Sequence, residues 1–154
     1  DIPHATHATD LAALKAADIV VLLTNDATAA LRPDHVERGC VVIDAAQPSN
    51  VPDEARSNFT ASGVAVCTGG VVHIPSLICT CNFGFCSGET FACLAETYLF
   101  ARHGLRQHST GAPLADQAKR LWRLAEREGI KVRSLSEMAC CSACAPPTPT
   151  WQAV

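Results

Sequence analysis

A chain of 154 residues is long enough to bury one sizeable core and gives no reason to expect two full domains. Its residues are 48% hydrophobic and 18% charged, which excludes the polar, highly charged composition of an unfolded chain. The net charge is -3, with no stripe of Lys and Arg to neutralise a row of phosphates, so no nucleic-acid partner is expected.

Asp10 is placed to N-cap a short helix over "LAALKAA", whose apolar residues recur at helical spacing. Ile19 to Leu23 follows as a continuous apolar run with β-branched residues at its start, the pattern of a parallel strand covered on both faces, and it stops at Thr24, Asn25 and Asp26. "LRPDHVERG" holds room for one helical turn with Pro33 near its start, and "CVVIDAAQPSN" reads as a second buried strand breaking into a Pro-containing loop. "GVAVCTGGVV" is a third strand, ending in Gly69 and Gly70.

Residues 73 to 88 read as a loop rich in Pro, Gly, Ser and Cys, and Glu89 to His103 as a helix stopped near Gly104. "PLADQAKRLWRLAEREG" is a second helix, with an apolar stripe of Leu114, Ala118, Leu121, Leu124 and Ala125. "IKVRSL" is a candidate last strand, and the Cys- and Pro-rich end reads as a loosely held tail.

Three short apolar strands separated by helical or loop segments predict an α/β fold. No G-x-G-x-x-G occurs, so the chain reads as the second half of a Rossmann-like parallel sheet followed by C-terminal helices. The expected division is a partial nucleotide-binding segment over 1–72, a loop and helices over 73–136, and a flexible tail over 137–154. The apolar runs are too short to span a bilayer, and "DIPHATHATD" has neither part of a secretory signal. A soluble, cytoplasmic protein with no membrane span is expected. Several of the nine cysteines sit inside apolar runs, which fits reduced thiols better than a disulfide framework.

Ligands of open α/β sheets bind beyond the carboxyl ends of the strands. There the chain offers Thr24 and Asn25, then Asp44, then Thr68, Gly69 and Gly70. Glycines let backbone approach a flat nicotinamide, and the short polar side chains offer it donors and acceptors. Each is equally an ordinary turn residue when taken alone.

Cys93 lies in an oily segment, "GETFACLAETYLFA", where a packed core thiol and a nucleophile are both open readings. Glu96 and Thr97 follow at i+3 and i+4, on the same helical face, and Glu96 is a candidate catalytic residue that positions a donor, orders water or serves as an acid. His73, just after the third strand's glycines, is a candidate base, with a structural histidine as the alternative. Cys79, Cys81, Cys86, Cys141 and Cys144 contain C-x-C and C-x-x-C pairs too far apart to predict a metal site.

"FACLAET" resembles the active-site cysteine segment of the aldehyde-forming long-chain acyl-[acyl-carrier-protein] reductases. "IVVLLTND", "VVIDAAQPSN" and "TGGVV" precede it in the order of their counterparts in that family, and the resemblance covers about residues 10 to 135. It implies a nucleotide domain similar to those of shikimate dehydrogenases and glutamyl-tRNA reductases, with NADPH as cofactor. It also implies that Cys93 takes the acyl group from acyl carrier protein or acyl-CoA as a new thioester, which hydride then releases as an aldehyde. Oxyanion donors are expected from backbone N–H groups of residues 84 to 88. Two alternatives stay open: a shikimate- or amino-acid-type dehydrogenase in which Cys93 is core, and a noncatalytic interaction or metal-binding domain. Oligomeric state has no signal in the sequence.

Overall fold

The short β-branched runs become strands in the computed structural model of the chain, which describes residues 7–26, 28–78, 85–106, 109, 111–112 and 114–133. It is a mixed α/β structure in two units, Asp1–Gly69 and Gly70–Val154. In the first unit β1 (Ile19–Leu22), β2 (Val41–Asp44) and β3 (Ala65–Thr68) form a parallel sheet in that order. The register aligns Ile19, Val41 and Ala65 at one end and Leu22, Asp44 and Thr68 at the other.

Leu11–Ala16 precedes β1 as a 3-10 helix, capped by Asp10, whose carboxylate accepts from the Ala12 N–H at 2.8 Å. A 3-10 turn at Pro33–His35 lies between β1 and β2, and α1 (Asp53–Ala61) connects β2 to β3. The sequence reading does not anticipate α1, because Phe59 is its one buried residue and the rest of "DEARSNFTA" is polar apart from Ala55 and Ala61. Asp53 and Glu54 in the first turn suit the positive end of the helix dipole.

Phe59 packs with Val20, Val42, Val51 and Val64 to form this unit's core, and Leu31, Val36 and Cys40 close it. Burying a side chain of that size contributes roughly 1.5–3 kcal/mol. The continuous run of β1 predicts cover on both faces, but only the Val20 face has it. Ile19, Val21 and Leu23, which alternate with Val20, are 62%, 51% and 76% exposed. The physical reason is that Phe59, Leu14, Leu31 and Val36 all pack into the one cluster around Val20 and Val42.

The second unit departs further from expectation. "GVAVCTGGVV" is two strands rather than one, broken at Gly69 and Gly70, and Gly70 sits at φ 68°, a conformation that ends extended structure. Val71–His73 becomes β4, the centre of an antiparallel sheet ordered β5-β4-β6, with β5 at Glu89–Phe91 and β6 at Lys131–Val132. Glu89–Phe91 had helical neighbours in the sequence, yet tertiary contacts hold it extended. Thr90 is buried opposite Val72, and the Phe91 ring meets Phe85 edge-on at 4.9 Å.

Only then does helix α2 (Ala92–Arg102) begin, followed by α3 (Ala115–Arg127). Val72, Ile74 and Ala95 form the unit's core, with Leu77, Tyr98 and Ile130 packed against it. Glu89 and Arg133 make a nearly buried bidentate ion pair across β4, their side chains 12% and 7% exposed. No helix among the described residues is long and apolar enough to cross a membrane. The tail expected over 137–154 lies outside the described residues.

Candidate functional site

Two places hold the residues singled out by sequence, one in each unit. In the first unit the level ends of β2 and β3 carry Asp44 and Thr68, and Thr24 and Asn25 follow β1. Asp44 is buried, and its carboxylate is taken up by its own loop. It accepts from the Ala46 N–H at 3.1 Å, the Ser49 hydroxyl at 2.6 Å and the Val51 N–H at 3.0 Å. The Thr68 hydroxyl accepts from the Arg56 guanidinium at 3.2 Å, and the Thr24 hydroxyl from the Asp26 N–H at 3.0 Å. These three side chains therefore shape the loops themselves.

Gly69 has a packing reason for lacking a side chain. A Cβ there would lie 2.7 Å from the Ile43 methyl and 3.0 Å from Ala45 Cβ. Asp26 is exposed, and hydrogen bonds from the Thr28 hydroxyl and N–H hold its carboxyl below the ordinary carboxylate value. Asn25 is exposed as well. Asn50 closes the loop that follows Asp44: its amide donates to the Asp26 carbonyl at 2.9 Å, while its buried Oδ1 has no hydrogen-bond partner among the described residues. A buried acceptor left without a donor is rare, and only a long-range view of the fold reveals it.

In the second unit β5 runs directly into α2, so Cys93 is the second residue of the helix rather than a turn inside it. The Ala92 N–H donates to the Gly70 carbonyl at 2.7 Å, and among the described residues no side chain caps the first turn. A helix start of this kind leaves N–H groups and the positive end of the dipole near the thiol. Cys93 is a free, exposed cysteine, so the core-thiol reading does not describe it. The Thr97 hydroxyl donates to the Cys93 carbonyl at 3.1 Å and so turns to its own helix.

Cys93 lines a groove of about 800 Å³ together with Ala92, Ala95, Glu96 and Leu99 of α2. Leu121, Trp122 and Ala125 of α3 line it too, as do Val72 of β4 and Ile130. That volume falls in the roughly 300–1,000 Å³ range of small-molecule sites. The groove exists because α3 buries none of its residues fully: its apolar stripe is only half covered. Glu96 is half-buried on the wall, three residues from Cys93, and accepts from the Ser109 hydroxyl.

His73 is not among the lining residues. It alternates with Val72 along β4 and so projects from the other face of the sheet, where its imidazole lies over Gly88. A Cβ on Gly88, itself at φ 82°, would come within 2.7 Å of the His73 ring nitrogen. Of the expected oxyanion donors, the Cys86 N–H is engaged, donating to the Glu89 carboxylate at 2.9 Å, and Gly84 lies outside the described residues. Cys79, Cys81, Cys141 and Cys144 lie outside the described residues. Ser109 and the Glu89–Arg133 pair were invisible to local pattern, because their partners stand 13 and 44 residues away. No known protein family matches the chain, and no curated protein matches it.

Proposed function

We propose that the chain is the C-terminal part of an NADPH-dependent acyl-thioester reductase of the acyl-[acyl-carrier-protein] reductase type, with Cys93 carrying the acyl group. The observation behind this reading is an exposed thiol in the first turn of α2, on the wall of an apolar groove of about 800 Å³. The parallel sheet is then the second half of a Rossmann-like domain. A working thiol also suits a reducing cytoplasm.

Cys93 Sγ attacks the carbonyl carbon of an acyl-carrier-protein or coenzyme A thioester, and the carrier sulfur leaves as the new thioester forms. First-turn N–H groups of α2, which no side chain caps among the described residues, are the donors for the oxygen that becomes negative. Ala95, Leu99 and Leu121 hold the chain of the acyl group and keep water from it. In the first unit the groups available to a dinucleotide are the exposed Asn25 and the orphaned Oδ1 of Asn50, which a ligand donor would satisfy. When bound, NADPH supplies the hydride that turns the acyl group into an aldehyde.

The test is incubation with palmitoyl-CoA followed by intact-mass and peptide analysis. An acyl adduct on Cys93, absent in Cys93→Ala, is expected, and added NADPH should convert the adduct to hexadecanal. Iodoacetamide that labels Cys93 no faster than the buried Cys40 would move the reading to a dehydrogenase without covalent catalysis.

A further inference from the structure

The Glu96 carboxylate is not simply left to solvent. The Ser109 hydroxyl, from the connection between α2 and α3, donates to its Oε1. Gln117, in the first turn of α3, donates from Nε2 to the Ser109 oxygen at 2.9 Å. A serine hydroxyl has one proton to give. With that proton committed to Glu96, the amide meets the hydroxyl as a donor, and the chain of bonds runs one way, from Gln117 through Ser109 to Glu96. Hydrogen bonds in such a series polarise one another, so each donor strengthens the next.

The anchoring is also one-sided. Oε1 is held, whereas Oε2 carries no hydrogen bond among the described residues, and the carboxylate stands on the groove wall beside Cys93. One oxygen fixes the group, and the other remains available to a proton.

We infer that Ser109 and Gln117 are positioning residues that hold Glu96 as the acceptor of the Cys93 thiol proton. The inference rests on the acyl-cysteine reading and names the proton route at that same site. During acyl transfer the Cys93 S–H bond breaks and its proton passes to Glu96 Oε2. The bond from Cys93 Sγ to the acyl carbon forms, the bond from that carbon to the carrier sulfur breaks, and the proton passes from Glu96 to the departing sulfur. The exchange needs no oxidant or reductant. Ser109 and Gln117 never touch the substrate; they set where Glu96 stands.

The experiment follows single-turnover acylation of the full chain by palmitoyl-CoA, read by intact mass across a pH series. Glu96→Gln should slow the maximal rate about a hundredfold, the lower range for a lost general base. Ser109→Ala should slow it about tenfold, with the half-saturating concentration unchanged and with Ser109→Thr restoring it. Gln117→Ala should give about a threefold loss. In the Glu96→Gln background Ser109→Ala should add nothing, because both act through one carboxylate.

Circular dichroism confirms that each variant is folded. An unchanged rate and pH profile in Ser109→Ala overturns the positioning role, as does an equal loss in the Glu96→Gln background, the mark of a strap that only ties the helices. A wild-type chain that forms no adduct overturns the acyl-cysteine reading instead. Iodoacetamide alkylation of Cys93 then decides the positioning role alone: a Ser109→Ala pH profile displaced toward that of Glu96→Gln retains it, and coincident wild-type and variant profiles remove it.

Discussion

The two units treat the same side chain in opposite ways. Cys40 is 3% exposed in the core of the first unit, and burial pushes its thiol up from the ordinary value. Cys93 lies open at the start of a helix on a groove. The difference extends to the polar groups around them: Asp44, Thr68 and Thr24 are engaged within their own unit, whereas Glu96 keeps one oxygen unbonded among the described residues. A residue's type says little about its role; what matters is whether folding has already used its reactive atoms.

The comparison is sharpest where the first unit is most tightly packed. Phe59→Ala removes a fully buried ring and should lower stability by about 4 kcal/mol, read as loss of hydrogen-exchange protection at Val42 and Val66. Arg133→Met tests a place where the second unit, like the first, engages its polar groups, since Glu89 would be left nearly buried without its cation. A loss of about 3 kcal/mol by denaturant titration is expected, and Glu89→Leu added to it should recover much of that loss. Asp44→Ala removes the acceptor of the Ala46 N–H and leaves the Ser49 hydroxyl and the Val51 N–H to bond only each other's residue, and it should cost about 2 kcal/mol. If it instead left stability unchanged while weakening NADPH binding, Asp44 would belong to a ligand and the contrast between the units would fail.

What the sequence discloses divides along the same line. The three parallel strands are legible because runs such as Ile19 to Leu22 and Val41 to Ile43 are continuous and β-branched, and Asp10 caps its turn as its position suggests. The α3 stripe is legible from its spacing. The antiparallel sheet is not, because strands of two or three residues carry no period, and Glu89–Phe91 stays extended through partners far along the chain. Cys93 and Glu96 can be picked out as a pair on one helical face, but the groove needs α3 beside them, and the Ser109 anchor needs the connection between the helices. His73 shows the limit of reading by order alone: its place after the third strand says nothing of which face of β4 it takes.

The smallest expected effect is the pH dependence that the buried Cys40 adds to stability. Burial raises the Cys40 value, and the nearby negative charge of Asp18 raises it further. Below the ordinary thiol value of 9.0 both the folded and the unfolded chain hold the Cys40 proton. As the pH rises past that point the unfolded chain releases the proton first and gains free energy that the folded chain cannot match. Stability is therefore lost with rising pH, up through the raised folded value. Denaturant midpoints measured on both sides of pH 9.0 should fall less steeply in Cys40→Val than in the wild type. Other groups titrate in the same range and contribute equally to both chains, so the difference between the slopes isolates Cys40.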